Sequence, residues 1–510
     1  MEGIMDILKN IKRYSKEDKV AAIVENQILT YEELEMKSNS LAGYILDKYK
    51  EDRTPIVICG NKENDILIAM IAALKSGRAY IPIDITFPED RINKILDEVK
   101  PKIIIDCNRD SKENNNYFRI SYTDLKKIYK SYSVEEIDEK FWVKDDDNCY
   151  ILFTSGSTGE PKGVQISKNN IDSFVKWFSE FLDVNNNNEA ILNQPSYSFD
   201  LSVMPVYLGL TNGKILFSLS HKTLEDTRDT FEELKKSNMQ LWISTPAFAT
   251  LCVQDDTFTH KLMPNLKTMY FIGEVLPPML VNELKLRFPS VRMINSYGPT
   301  EATVAVTGID ITDEILHENK ELPIGKVMEG VHIKIVDENG MNLKDGEKGE
   351  IVIIGKSVSK GYYKNDDITN KVFFYEEING EILRGYKSGD IGYFKNNILY
   401  FSGRKDFQIK LNGFRIELED IENNIRKVDN VKNVVVLPHY KGDKISNLVA
   451  FVTLKINNEL SPLKNTLLIK NKLKKYIPSY MIPRNIKVIN GFPLNANGKI
   501  DRKRLMEEIK

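Results

Sequence analysis

The sequence predicts an α/β protein built from several sheet-based units, and three observations carry that prediction. Strand-length apolar runs alternate with amphipathic helical stretches over roughly the first four hundred residues. Beyond position 324, closely spaced strands with Gly and Asn-Gly turns replace that alternation. The length, 510 residues, also exceeds what a single core organises, at roughly 150 residues per domain.

In chain order, Pro55-Ile-Val-Ile-Cys-Gly60 reads as a buried strand and residues 65–76 as a helix. The apolar stretch 66–74 is about half of the ~20 residues that cross a bilayer, so it predicts one buried helix. Tyr80-Ile-Pro-Ile83 predicts a strand, residues 91–99 a helix, and Lys102-Ile-Ile-Ile-Asp106 another strand, the rhythm of a parallel sheet covered by helices. Val331-His-Ile-Lys-Ile-Val-Asp337, Gly349-Glu-Ile-Val-Ile-Ile-Gly355 and Asn397-Ile-Leu-Tyr-Phe401 predict a smaller antiparallel or barrel-like unit. From 415 onward come a helix at 418–428, strands at 431–437 and 448–454, and a Lys-rich helix, enough for a small α+β domain. The expected organisation is a large domain over 1–403, made of two α/β sheet subdomains plus a β-barrel-like unit, and a small mobile α+β domain over 404–510. The Asn tracts at 114–116 and 185–188 read as exposed loop tips.

Composition narrows the chemistry. Lys plus Arg number 71 against 73 Asp plus Glu, a net charge of −2 without the basic footprint that nucleic-acid binding needs. Five histidines leave little material for multi-metal or His-driven hydrolytic sites. The four cysteines (Cys59, Cys107, Cys149, Cys252) are scattered, which fits a reducing, cytoplasmic compartment. The N-terminal stretch intersperses charges among its apolar residues and lacks a signal peptide's apolar centre, so no membrane insertion is expected.

The most informative segment is Tyr150-Ile-Leu-Phe-Thr154-Ser155-Gly156-Ser157-Thr158-Gly159-Glu-Pro-Lys162. An apolar strand feeds a loop whose glycines let successive N–H groups converge and whose hydroxyls add donors, a nest for phosphate oxygens. It is not a Walker loop, because no Gly-Lys-Ser/Thr follows at the required spacing. Elsewhere, Asn295-Ser296-Tyr297-Gly298-Pro299-Thr300-Glu301 offers an amide for an adenine edge, an aromatic face and a carboxylate for Mg²⁺. Ser388-Gly-Asp390 sets a carboxylate on a turn, suited to a ribose diol, and Phe401-Ser402-Gly403-Arg404 ends in a fixed cation. Pro493-Leu-Asn-Ala-Asn-Gly-Lys499 places a lysine in a Gly/Asn loop. Taken singly, each could be a surface turn or a solvated charge.

In this order the motifs resemble the adenylate-forming superfamily of acyl- and aminoacyl-adenylating enzymes, from about residue 26 to residue 504. The resemblance implies ATP and Mg²⁺ as cofactors. It assigns Thr154, Ser155, Gly156, Ser157, Thr158 and Gly159 to phosphate binding. Asn295, Ser296, Tyr297, Gly298, Pro299 and Thr300 go to the adenosine, and Glu301 to the metal. Asp390 falls to the ribose, Phe401, Ser402, Gly403 and Arg404 to the rest of the nucleotide site, and Lys499 to the reacting carboxylate and α-phosphate. Asp406 matches the hinge of the small domain and Gly413 the thiol channel. Because the substrate carboxylate and an incoming thiol are the nucleophiles, no catalytic Ser, Cys or His is required.

Ser198-Phe-Asp200-Leu-Ser-Val-Met204 narrows the branch. An Asp beside an apolar pocket is costly without a cation, so it predicts a substrate ammonium, although Asp200 could instead cap the helix that follows. This segment, with Glu274-Val-Leu-Pro277, residues 297–307 and 407–410, resembles the D-alanine–D-alanyl carrier protein ligases. There Asp200 would hold the amino group while Val304 and position 272 line the side-chain pocket. Ile272 stands where that family typically carries Cys, Pro205 where an acidic residue is common, and Tyr386-Lys-Ser-Gly-Asp390 replaces Tyr-Arg-Thr-Gly-Asp. The implied partners are a small amino acid and the phosphopantetheine thiol of a separate acyl or peptidyl carrier protein, since only eleven residues follow Lys499. Three other readings stay open: an adenylating enzyme for glycine, β-alanine or another small amino acid in peptide natural-product synthesis, an acyl- or aryl-CoA ligase, and a catalytically silent nucleotide-binding protein.

Overall fold

The computed structural model describes residues 6–108, 118–156, 160–183, 190–318, 321–406, 408–442, 444–455, 461–493 and 500–509. Both asparagine tracts, Ser157 to Gly159 of the phosphate loop, and Lys499 lie outside them. The chain divides into two compact units, Met1–Ile85 with Val99–Leu152 and Gly163–Lys405, and Thr86–Glu98 with Phe153–Lys162 and Asp406–Lys510.

The first unit is organised by three sheets. A nine-stranded sheet has a parallel centre of Arg292–Tyr297, Thr268–Phe271, Met239–Ser244, Ala190–Asn193, Ile215–Ser218 and Val20–Val24, in that spatial order. Antiparallel strands flank it, Thr307–Asp310 and Gln27–Thr30. A six-stranded sheet carries the predicted strands Ile56–Gly60, Tyr80–Asp84 and Ile104–Asp106 in parallel register. The helix Asn64–Lys75 is buried along its whole length, as its unbroken apolar run requires. The third sheet is antiparallel, of Val331–Val336, Gly349–Gly355, Glu381–Lys395, Phe373–Ile378 and Ile398–Arg404. Its strands pair in an open, branched order, and among the described residues no pairing joins its outer strands into a barrel. Asn396 and Asn397, both at positive φ (53° and 61°), make the two-residue turn before Ile398–Arg404.

The second unit contains the hairpin Gln408–Leu411/Phe414–Glu417, turned by Asn412-Gly413 at φ 52° and 84°. The helix Leu418–Arg426 follows. Strands Val431–Lys441, Lys444–Leu454 and Asn485–Val488 form a mixed sheet with helices Pro462–Leu473 and Arg502–Glu507 in the same unit. Its core runs through Ile416, Leu418, Ile421, Ile425, Val434, Val436 and Ala450.

Among the described residues no helix is long and apolar enough to cross a membrane. The four cysteines are unpaired, and burial pushes the Cys59 and Cys252 thiols up to about 12, far from a reactive thiolate.

Candidate functional site

In a parallel sheet every strand delivers its carboxyl end to the same edge, where ligands of α/β proteins sit. Strand Arg292–Tyr297 delivers Asn295, Ser296 and Tyr297 to that edge, then Gly298, Pro299 and the short 3₁₀ turn Thr300–Ala302. Thr268–Phe271 is followed by Ile272, and Ala190–Asn193 by the segment that ends in Asp200.

The half-buried Asp200 accepts a hydrogen bond at Oδ2 from the Thr300 hydroxyl at 2.6 Å. It does not cap the following helix: Val203–Thr211 starts after Ser202, and Asp200 lies inside the preceding turn Asp200–Ser202. The capping alternative for Asp200 is thereby removed. Ile272 is buried, its N–H bonded to the Ser244 carbonyl at 3.3 Å. Val304 is also buried and sits at φ +70°, directly after Thr303 at +59°. Two consecutive β-branched residues in the left-handed region are strained. The arrangement is held by Thr303 Oγ1, which donates to the Ser357 carbonyl at 2.6 Å. Gly298 fits against it because a Cβ there would stand 2.4 Å from the Val304 carbonyl oxygen.

Around Tyr297, the phenol donates to Asp390 Oδ2 at 2.6 Å, Arg404 pairs with Asp390 Oδ1, and the Phe401 ring centroid lies 6.5 Å away. Burial, reinforced by Asp390, pushes the phenol well above the ordinary tyrosine range, so Tyr297 remains a donor. The sequence set Asp390 on a turn. Instead it lies inside the fifteen-residue strand Glu381–Lys395, at an irregularity opposite Glu350 and Val352, and pairs across to Arg404. The bulge supplies the re-aimed side chain that a turn was expected to supply. Ser402 lies in the same strand as Phe401, and Gly403 adopts φ +124°.

Asn295 is buried, its amide donating to the Pro323 carbonyl at 2.7 Å, while Oδ1 has no hydrogen-bond partner. A buried acceptor left open is costly unless a ligand donor meets it. Ser296, by contrast, has its hydroxyl engaged within the protein, donating to the Thr307 carbonyl at 2.5 Å and accepting from Tyr270 at 2.6 Å. Glu301 is buried and accepts from the Tyr362 phenol at 2.8 Å. No group of three or more His, Cys, Asp or Glu among the described residues is arranged to hold a metal. A lone carboxylate suits Mg²⁺, which takes one or two protein carboxylates and completes its shell with phosphates and water.

In the second unit, the Ser155 hydroxyl donates to the Arg415 carbonyl at 2.9 Å and accepts the Glu417 N–H at 3.2 Å. Thr154 Oγ1 reaches the Lys162 carbonyl at 3.5 Å. At Gly156 a Cβ would lie 2.3 Å from the Glu160 carbonyl oxygen, so no side chain fits at that position. Asp406 accepts the Gln408 N–H at 3.1 Å. The Thr300–Asp200 and Tyr362–Glu301 contacts were beyond sequence reasoning, because each joins residues at least sixty positions apart.

The chain matches the AMP-binding enzyme model over residues 10–363 and the AMP-binding enzyme C-terminal domain over residues 420–499. It belongs to the AMP-binding enzyme family and is an AMP-forming ligase. Among its relatives, the D-alanine–D-alanyl carrier protein ligase of Bacillus cereus (strain B4264) is 39% identical over 507 residues, covering 99% of this chain and 100% of that one. The ligase of the same name from Bacillus mycoides (strain KBAB4) is 40% identical over the same span. The fold is shared with the Vibrio cholerae adenylation domain AlmE in complex with glycyl-adenosine-5'-phosphate (TM-score 0.84, 23% identity, 100% and 98% of the two chains). It is also shared with an o-succinylbenzoate CoA synthetase from Bacillus subtilis (TM-score 0.83, 18% identity, 98% of each chain). Likeness of fold therefore extends across branches with different acyl substrates.

Proposed function

We propose that the protein activates D-alanine with ATP and transfers the aminoacyl group to the phosphopantetheine thiol of a separate carrier protein. The observation that carries this reading is the Asp200 carboxylate, oriented by Thr300 on the same sheet edge as Ile272 and the Asn295 segment. A fatty-acyl or aryl substrate brings no charge to match a carboxylate there, whereas an ammonium does. Full-length similarity to ligases named for D-alanine supports the choice of amino acid.

In the first half-reaction the substrate carboxylate oxygen attacks the α-phosphorus of ATP and the bond to the β-phosphate oxygen breaks, releasing pyrophosphate. The open Asn295 Oδ1 would accept from the adenine amino group, and Asp390 retains lone pairs for ribose hydroxyls beyond those given to Tyr297 and Arg404. Thr154, Ser155 and the rest of the 154–159 loop would hold phosphate oxygens, while Lys499 would neutralise the charge that builds at the α-phosphate. Glu301 would hold Mg²⁺, which would supply further charge neutralisation at the phosphates. In the second half-reaction the thiol sulfur attacks the acyl carbonyl, AMP leaves, and the thiol proton passes to solvent. The domain 404–510 would turn about Asp406 between the two steps, with Gly413 along the thiol's path.

A second reading, another small amino acid such as glycine, is favoured by Ile272. Ile272 is buried and bulkier than cysteine, so a side-chain pocket that it lined would be narrower, and one methylene of fit shifts discrimination by roughly 1–3 kcal/mol.

Asp200→Ala tests the amine reading. With roughly 1.5–3 kcal/mol in the charged contact, kcat/KM for the amino acid should fall about 10- to 150-fold while the KM for ATP holds. Unchanged amino-acid activation in that variant would refute the assignment.

A further inference from the structure

Beside the segment that leads to Asp200 lies a polar cluster that none of the roles above uses. Asp84 ends the strand Tyr80–Asp84 and is 2% exposed. Its Oδ2 accepts from the Ser196 hydroxyl and from Asn61 Nδ2 at 3.3 Å, and its Oδ1 lies 3.3 Å from His221 Nε2. The His221 side chain is 43% exposed, so the cluster reaches solvent through an imidazole. The His221 N–H donates to Asn61 Oδ1 at 2.9 Å, closing the group on itself.

The cluster grips the loop that ends in Asp200. Lys62 is buried and donates to Asn193 Oδ1 at 3.0 Å and to the Pro195 carbonyl at 2.5 Å, with its ammonium 4.0 Å from the Tyr197 ring centroid. Ser196, pinned by Asp84, opens a turn closed by the Phe199 N–H on the Ser196 carbonyl at 2.9 Å. Its Oγ also accepts the Ser198 N–H at 3.3 Å, and Ser198 Oγ donates to the Pro82 carbonyl at 3.0 Å. Asp200 is the next residue after Phe199, so the direction of its carboxylate follows from how this turn is seated.

We propose that Asp84 and His221 are positioning residues for Asp200, and that protonation of His221 sets the affinity for the amine substrate. The inference rests on the reading of Asp200 as the partner of the substrate's ammonium. The charged groups acting on His221 are Asp84, Lys62 and Glu225, and Asp84 in turn interacts with Glu63. The hydrogen bond to Asp84 holds the imidazole above the ordinary histidine range, while Lys62 opposes it and is itself pressed well below its usual range by burial. A raised folded-state value means that the imidazolium–Asp84 contact is complete below about pH 6.5 and is lost as pH climbs through the raised value. Once His221 is neutral, buried Asp84 has lost its solvent-facing cation, and the seating of Ser196 loosens.

The test compares the full-length wild type with Asp84→Asn, Ser196→Ala and His221→Gln between pH 6 and 8.5. It reads amino-acid KM, ATP KM and kcat, together with amide hydrogen exchange over 196–200 in the nucleotide-free protein, corrected for intrinsic rates. Asp84→Asn and Ser196→Ala should raise the amino-acid KM about tenfold, leaving kcat and ATP KM within twofold. In the wild type that KM should rise about fivefold across the range and protection of 196–200 should fall. In His221→Gln both should stay at their high-pH level throughout. Equal pH courses in wild type and His221→Gln, or matched losses for ATP and amino acid, overturn the inference. A wild type that activates no amino acid refutes the proposed function, and the exchange readout still decides the role of His221. Ser196→Ala tests the same pin should Asp84→Asn fail to fold.

Discussion

The Thr300 hydroxyl donates a hydrogen bond to Asp200 across a hundred positions of sequence, and that bond steadies the carboxylate that the 196–199 turn aims. A charge-assisted hydrogen bond to a carboxylate is stronger than one between neutral groups, and its loss leaves the acceptor free to rotate. Thr300→Val keeps the shape and removes the donor. The amino-acid KM should rise about five- to tenfold in steady-state kinetics, with thermal stability within a few degrees of wild type. An unaltered KM would mean that Asp200 is oriented by other contacts. Nothing local in the Pro-Thr-Glu motif marks this pairing; the sequence offers Thr300 only as part of a nucleotide motif. Asn295 is a similar case: the sequence offered its amide as a candidate for an adenine edge, but that the open atom is Oδ1 emerges only once Pro323 takes the amide.

At the scale of elements, helix Asn64–Lys75 packs on Tyr31–Tyr49 through a buried cation. Lys75 is fully buried and donates to Glu35 at 2.7 Å, Asn39 at 2.6 Å and Ser38 at 3.0 Å, which uses all three ammonium protons. Burial lowers Lys75 to about 8 even with Glu35 beside it. A folded-state value below the unfolded one means that the unfolded chain binds the extra proton between about pH 8 and 10.5. Stability from this group therefore increases with pH across that window, on the order of 2–3 kcal/mol. Urea unfolding from pH 7.5 to 10 should show this gain in the wild type relative to Lys75→Met; parallel pH courses would contradict it. Apolar periodicity announced the helix correctly, yet it gave no sign that its last lysine points inward. The same limit explains Asp390: Ser-Gly-Asp chemistry suggests a turn, and only cross-strand pairing with Arg404 reveals a bulge in a long strand. The left-handed Thr303-Val304 pair was equally unreadable, because β-branched residues carry no local preference for positive φ.

For the whole molecule, the sequence revealed the α/β class, the buried central helix and the antiparallel unit after residue 324, because periodicity and turn chemistry act locally. Which strands become neighbours is a tertiary outcome, and it is what brings Asp200, Ile272 and Asn295 to one sheet edge. The family was legible because phosphate and adenylate chemistry demands particular residues in a fixed order; substrate identity was not, since under the proposed function it would turn on the side chains at Ile272 and Val304, and a step of one methylene there leaves no mark on the motifs. Fold likeness cannot supply it either, as the same architecture is shared with a CoA synthetase. The central claim, ATP-dependent activation of D-alanine, is tested most directly by amino-acid-dependent ATP–pyrophosphate exchange with D-alanine, L-alanine, glycine and β-alanine side by side. The account predicts the highest kcat/KM for D-alanine, about tenfold or more above the others. Preferred exchange with any of the other three, or none with all four, would contradict it.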